Sequence, residues 1–347
     1  MPVKNSALQI HATIGPASKD ALKELISAGV TAFRLNMSYV APGEMAEVVK
    51  TIRSVSSSVK IGADIKGRKL RVGPIDAPIS LSAGEHITLI PSAGEFMGSR
   101  AGVCVNYPQM ASLITAGSQI LLDDGTISLA VSDITSNGIV CTVIKGGKLT
   151  SRAGVNVPGI ALNLPPLTDK DRADLSEIAD SGVDMLYFSY VETKEDIAAL
   201  REAASAVGLN VPIVSKVETV YAVKNISEIC LHSDAICIAR GDLGVEVPHA
   251  TLPFVVREIT AAAKSAGKPV LLAGEVMYSL VTREVPFRAE LTDVVTAIES
   301  GIDGFILSDE TAIGINPVTA INYITAIAKE VHNRKDVLRQ PQFFSQT

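Results

Sequence analysis

From Leu8 to His332 the chain repeats one alternation, a short continuous apolar run followed by a longer segment with helical apolar spacing. The runs are Leu8–Ala12, Thr31–Leu35, Val59–Asp64, Met185–Ser189, Pro212–Ser215, Ala235–Ile238, Pro269–Ala273 and Gly304–Leu307, eight in all. Apolar runs without polar alternation are strands buried on both faces, the mark of a parallel sheet covered by helices. Eight such units predict an α/β fold closed as a (β/α)8, or TIM, barrel. Helices are predicted at Ser18–Ser27, Pro42–Val55, Pro253–Ala266, Arg288–Glu299 and Pro317–His332, with two more starting behind Thr168 and near Thr193. Thr168 reads as an N-cap because acidic residues fill the turn after it.

The alternation breaks once. Between Gly73 and about Gly154 the helical period disappears, and short alternating stretches such as Ile120–Val131 and Gly138–Ile144 are parted by Gly, Asp, Ser and Asn turns. That pattern predicts a small all-β domain, a lid of β-barrel type inserted after the third strand. The expected division is residues 1–73 for the first part of the barrel, 74–153 for the insertion, 154–333 for the remainder and 334–347 for a tail. A length of 347 residues suits this, since a barrel alone takes typically ~250. Net charge is 31 − 37 = −6, which argues against a general nucleic-acid or anionic-membrane binder. No apolar run approaches the ~20 residues of a membrane span and no leader is visible, so a cytoplasmic location is expected. The four cysteines form no CxxC pair; Cys104, Cys141 and Cys230 read as core or surface thiols and Cys237 as a buried strand residue.

Active sites of such barrels lie at the C-terminal ends of the strands. There the sequence places Arg34, Asn36 and Ser38, then Asp64, Ile65, Lys66 and Arg71, then Lys216 and Glu218, then Arg240, Gly241 and Asp242, then Gly274 and Glu275, then Ser308, Asp309 and Glu310. Lys216 and Glu218 are two apart, so an extended segment points both to one side. Glu218 and Asp242 are hard oxygen ligands from neighbouring strands, the donor set Mg²⁺ prefers when positions stay open for substrate. Lys216 beside them can neutralise charge developing on a phosphoryl group or an enolate. Arg34 and Arg71 can clamp phosphate, and free N–H groups at Gly241 can hold a carboxylate. One charged residue at a strand end is usually a salt bridge or a cap; two phosphate-suited cations, a lysine and two metal-suited acids together predict phosphoryl or enolate chemistry.

These segments resemble the pyruvate kinase family. ATIGPAS from Ala12 to Ser18 resembles that family's opening, and FRLNMS from Phe33 to Ser38 resembles its FRLNFSH. DIKG at Asp64 leading to LRVG at Leu70 resembles DTKGPEIRTG, and LDDG at Leu122 resembles the VDDG turn. GVNVPG at Gly154, SKVE at Ser215, ARGDLGVE at Ala239 and LSDETA at Leu307 resemble GVNLPG, SKIE, ARGDLGVE and LSGETA. The matches are collinear over nearly the whole chain. The resemblance implies phosphoryl transfer between phosphoenolpyruvate and ADP, giving pyruvate and ATP. It implies Mg²⁺ or Mn²⁺ on Glu218 and Asp242, and K⁺ on Asn36, Ser38, Asp64 and the Ile65 carbonyl. Lys216, Arg34 and Arg71 become the catalytic residues, and Gly241, Asp242, Lys216, Gly274 and Glu275 the substrate site. Arg34, Arg71, Tyr39 and Arg152 become the nucleotide site, and the insertion a lid that excludes water. The family's C-terminal regulatory domain has no counterpart in the sequence, so no effector activation of that kind is expected. A homodimer through the barrel near Arg288 is expected.

Several positions depart from the family pattern. Strand seven carries Ala273, Gly274, Glu275 and Val276 where the family has ATQM, so a threonine of the proton-transfer network is replaced by glycine. Tyr39 replaces a histidine, Ile65 a threonine and Asp309 a glycine, and Ser151–Gly154 replaces a lysine-rich SKKG, leaving Arg152. These changes open two alternatives. One is a repurposed relative that phosphorylates another acceptor or cleaves a 2-oxo acid through a metal-bound enolate, with Glu275 as base. The other is a binding protein that keeps the fold without catalysis.

Overall fold

The fold was described from a computed structural model, which covers residues 8–160 and 164–334. Eight parallel strands close a barrel: β1 (Gln9–Thr13), β2 (Ala32–Asn36), β3 (Lys60–Ile65), β4 (Met185–Phe188), β5 (Ile213–Val217), β6 (Ala235–Ala239), β7 (Val270–Ala273) and β8 (Gly304–Leu307). Each pairs with its chain neighbours, and β8 returns to β1 through Gln9–Gly304 and Ala12–Leu307. The strands are buried along almost their whole length because helices cover one face and the barrel interior the other.

That interior is packed rather than hollow. Tyr187, Val214, Cys237, Leu271, Ala273 and Ile306 fill it. Gly62 makes room for the largest of them, since a Cβ there would lie 2.3 Å from the Tyr187 ring. The Tyr187 hydroxyl meets His11 Nδ1 at 2.7 Å, so two buried polar groups satisfy each other below the rim.

The helices follow from local signals. Thr168 caps Asp169–Ala179 and Thr193 caps Lys194–Ala206, each in a reciprocal box with the aspartate three residues on. Asp171 and Asp196 are thereby buried but fully bonded. The Arg288–Glu299 helix has the predicted bounds. Two helices escaped the periodicity, Val220–Lys224 and Ile226–His232, which are split at Asn225. Arg240–Glu246 is a further helix outside the predicted set; its two glycines weigh against helix in sequence terms.

The insertion is a seven-stranded sheet that reaches back to Leu70–Arg71 and forward to Gly154–Asn156. Its two edges meet: Val72 bridges Val105, and Gly73 N donates to Cys104 O at 2.9 Å. The sheet thus curls around its own core of Val72, Leu89, Ile120, Leu129 and Ile139. It touches the barrel through the Asp123–Gly125 turn, where all three residues adopt positive φ and Gly125 lies against Val245. The expected tail, residues 334–347, falls outside the described residues except for Arg334. All four cysteines are buried.

Candidate active site

The ends of β3, β5 and β6 bring a charged cluster together. Lys216, at the end of β5, sits at its centre. Its Nζ donates to Ser189 Oγ at 2.8 Å and pairs with Glu218 Oε1 at 3.0 Å and Asp64 Oδ2 at 3.4 Å. Burial works against the ammonium, but Asp64 and Glu218 raise it above the ordinary lysine range, so it stays charged. Asp64 also takes Arg34, with Nε at 2.7 Å and Nη2 at 2.6 Å, and Ser189 Oγ at 3.1 Å. Burial alone would raise the Asp64 carboxyl, yet Lys216 and Arg34 hold it below the usual carboxylate range. Arg34 is buried, 8% exposed, and donates its remaining Nη1 to Thr13 Oγ1 at 2.9 Å. It is therefore a strut beneath the site, locked to Asp64 from the adjacent strand.

Glu218 and Asp242 stand across from this cluster. Glu218 Oε2 accepts the Tyr190 amide at 2.6 Å. Asp242 Oδ1 accepts both the Tyr190 hydroxyl and Lys69 Nζ at 2.7 Å. Both of these hydrogen bonds fall on Oδ1, leaving Oδ2 outside them. Burial pushes the Glu218 carboxyl up against the pull of Lys216, and Asp242 pushes it the same way. The donor chemistry fits a divalent cation: two hard carboxylates press on each other, with Asp242 Oδ2 outside those bonds. Among the described residues no three His, Cys, Asp or Glu side chains form a complete cage, so substrate or water would fill the other positions.

Tyr190, Lys69 and Ser189 were not singled out from sequence. Tyr190 joins both candidate metal ligands, one by its backbone and one by its side chain, and its φ of 56° turns the amide inward. The signal available was position: Ser189 and Tyr190 follow β4 at the same rim. Lys69 reaches Asp242 and, at 3.5 Å, Asp124 of the insertion's turn.

A second cluster lies toward the insertion. Arg71 donates to the Arg152 carbonyl at 2.9 Å, and Arg152, with φ of 64°, pairs with Glu95. Lys66 is half-buried there; burial first, then Arg71, lowers its affinity for a proton. Tyr39 is 85% exposed, and exposed Ser38 donates its amide to Asn36 Oδ1 at 3.1 Å. The Ile65 side chain is fully buried.

The ends of β7 and β8 are built differently. Gly274 (φ 88°) and Glu275 (φ 52°) turn the chain in succession. A Cβ on Gly274 would lie 2.7 Å from Gly241 N, so the β7 backbone packs directly on the first turn of the Arg240–Glu246 helix. A Cβ on Gly241 itself would meet nothing within 4 Å, which leaves that face open to a ligand. Arg240 ties the corner, donating to Gly274 O at 3.1 and 2.8 Å and to Asp293 at 2.7 Å. Buried Glu310 does the same from β8: it accepts the amides of Val276 at 3.1 Å, Met277 at 3.2 Å and Ser308 at 2.8 Å. The Glu275 side chain is exposed.

Comparisons with known proteins place the chain in a family. A family model described as the pyruvate kinase barrel domain matches residues 5–321. Pyruvate kinase 2 of Synechocystis is 37% identical over 334 residues, covering 93% of this chain and 56% of that protein. Human pyruvate kinase PKLR is 37% identical over 346 residues, covering 95% of this chain and 60% of that protein. The chain thus spans little more than half the length of these two curated relatives. The crystal structure of a pyruvate kinase from Cryptosporidium parvum superposes with a TM-score of 0.87 at 30% identity, over 94% of this chain and 69% of that one.

Proposed function

The chain belongs to the pyruvate kinase family, and we propose that it transfers the phosphoryl group of phosphoenolpyruvate to ADP, giving pyruvate and ATP. The observation that carries this reading is Lys216, held charged by Asp64 and Glu218 within reach of the Asp242 turn. Glu218 and Asp242 hold Mg²⁺ or Mn²⁺, which when bound supplies Lewis-acid charge to phosphate and enolate oxygens. Lys216 balances the negative charge that grows on the phosphoryl group and the enol oxygen as the P–O bond breaks. The open backbone at Gly241 and Asp242 orients the substrate carboxylate, with Gly274 and Glu275 closing the pocket beside it. Arg34 acts from below by fixing Asp64, and through it Lys216. Arg71, Arg152 and Lys66 gather positive charge for the nucleotide phosphates, and exposed Tyr39 is a further nucleotide contact. Asn36, Ser38, Asp64 and the Ile65 carbonyl would hold K⁺, with Asp64 also paired to Arg34 and Lys216.

The enolate left behind takes its proton at carbon. Gly274 has no side chain to give one, so water supplies it on the β7 side. The insertion closes as the lid that keeps other water out. Among the described residues no helix is long and apolar enough to cross a membrane, and the reading places the chain in the cytoplasm. We assign it a homodimer through the barrel around Arg288, where Val285 and Phe287 are exposed; a monomer mass in light scattering would refute that. The decisive assay mixes phosphoenolpyruvate, ADP, Mg²⁺ and K⁺ and follows pyruvate. ADP-dependent pyruvate is expected. If Mg²⁺ binds but nothing turns over, the site serves another enolate-forming acid.

A further inference from the structure

Between the inserted sheet and the barrel lies a partly open cavity of about 40 Å³. Asn156 lines it from the last strand of the insertion, and Arg68, Tyr190, Glu192, Thr219 and Glu246 line it from the barrel side. Asn156 is 4% exposed. Its Nδ2 donates to Glu246 Oε1 at 3.0 Å, which settles which end of the amide is oxygen. Oδ1 then has no partner, and among the described residues it is the one buried side-chain polar atom left so. Buried acceptors of that kind are rare in folded proteins and ask for an explanation.

The charge around the cavity is also unbalanced. Arg68 pairs directly with Asp196 and only at 3.8 Å with Glu192. Glu192 otherwise accepts Thr219 Oγ1 at 3.0 Å, and Glu246 has the neutral Asn156 amide. The one guanidinium at the cavity is thus taken up by Asp196 behind it, and two carboxylates, Glu192 and Glu246, line the space. Burial raises both the Glu192 and the Glu246 carboxyls, as expected where compensating positive charge is short. Apart from Arg68, whose guanidinium is turned to Asp196, the polar groups that line the cavity are oxygen donors or the Asn156 amide, the set that hard cations take, and the space admits an ion with a water or two. Mg²⁺ keeps several of its own waters, whereas Ca²⁺ adapts to mixed carboxylate and amide ligands.

We propose that this cavity is a second cation site, taking a divalent ion of calcium's size through Asn156 Oδ1 and the Glu192 and Glu246 carboxylates. It is separate from the Glu218 and Asp242 pair, with Tyr190 between them. Because Asn156 belongs to the inserted sheet and both glutamates to the barrel, the ion clamps the root of the insertion to the barrel wall. The site goes beyond phosphoryl transfer and is tested without turnover.

Ca²⁺ is titrated calorimetrically into the full chain carrying Glu218→Gln, which removes a ligand of the first site. One Ca²⁺ per chain is expected, at least tenfold weaker when Glu246→Gln is added and tighter when Asn156→Asp is added. Ca²⁺ is also expected to slow hydrogen exchange of the amides at 155–160. Absence of Ca²⁺ binding in the Glu218→Gln chain overturns the proposal and leaves the cavity to water. Binding unchanged by Glu246→Gln overturns it as well. If circular dichroism shows that Glu246→Gln does not fold, Asn156→Asp decides: an unaltered affinity places the ion elsewhere.

Discussion

The rim of the barrel has two halves made in different ways. At β2 to β6 it is made of side chains: Arg34, Asp64, Lys216 and Glu218 form a continuous chain of charge-assisted bonds with Ser189 at a joint, and Tyr190 donates to both Glu218 and Asp242, the latter also held by Lys69. At β7 and β8 it is made of backbone: two left-handed residues, a close approach of Gly274 to Gly241, and Arg240 and Glu310 bonded to main-chain groups. The first half can stabilise developing charge because its own charges are fixed in place before substrate arrives. The second half shapes the pocket through its main chain, and at Gly274 it has no side chain to take part in proton transfer. A site can therefore keep its electrostatics while its proton relay changes, since different strands supply the two functions.

The largest effect should come from breaking the charged half at its centre. Lys216→Met is expected to lower kcat by about 10³-fold or more, the scale of losing a group aimed at transition-state charge. Asp64 would keep Arg34 and Glu218 the Tyr190 amide, so circular dichroism should still report a folded barrel. A variant with ordinary turnover would remove Lys216 from the chemistry. Next comes the backbone half. Gly274→Thr restores the family's threonine but puts a Cβ 2.7 Å from Gly241 N at a φ of 88°. It should destabilise the chain by about 2–4 kcal/mol in denaturant titration and leave turnover no faster. A stable and faster Gly274→Thr chain would show that the backbone packing at β7 is incidental.

The barrel was legible because two-sided burial leaves unbroken apolar runs, and all eight predicted runs fall within about two residues of observed strands. The helix pair around Asn225 was not, since its segments are too short to set a period. At the site, the charges standing at strand ends were legible, and Lys216 with Glu218 met as their spacing implied. The pairings were not. Arg34 and Arg71 were expected to act together on phosphate, but the structure commits one to Asp64 and the other to the Arg152 carbonyl. Tyr190 acts partly through a left-handed backbone amide, which no side-chain pattern signals. Glu310 binds the nearby Ser308 amide and, across the rim, the amides of Val276 and Met277, so its role depends on where the β7 loop ends and not on local sequence alone.

Glu310 supplies the next test of the backbone half. Burial raises its carboxyl against three amide bonds, so it works as a brace held at some cost. Glu310→Gln keeps one oxygen and turns the other into a donor facing an amide. A loss of about 1–3 kcal/mol is expected, with faster hydrogen exchange at 276 and 277. Unchanged exchange there would mean that Arg240 alone holds the corner.

The smallest expected effect lies at the joint between the candidate metal ligands, and it separates side-chain from backbone support within one residue. Tyr190→Phe keeps the ring and the amide that holds Glu218 but deletes the hydroxyl that donates to Asp242. Lys69 remains on the same carboxylate oxygen, so Asp242 is loosened rather than freed. Mn²⁺ affinity, read by electron paramagnetic resonance, should weaken by about tenfold, the lower end for losing a bond that orients a metal ligand. Denaturant stability should move little, because the ring still fills its place. If Mn²⁺ affinity is unaltered, Lys69 alone orients Asp242 and the tyrosine serves through its backbone. That result would move the boundary between the two halves of the rim, making β4 a backbone contributor like β7.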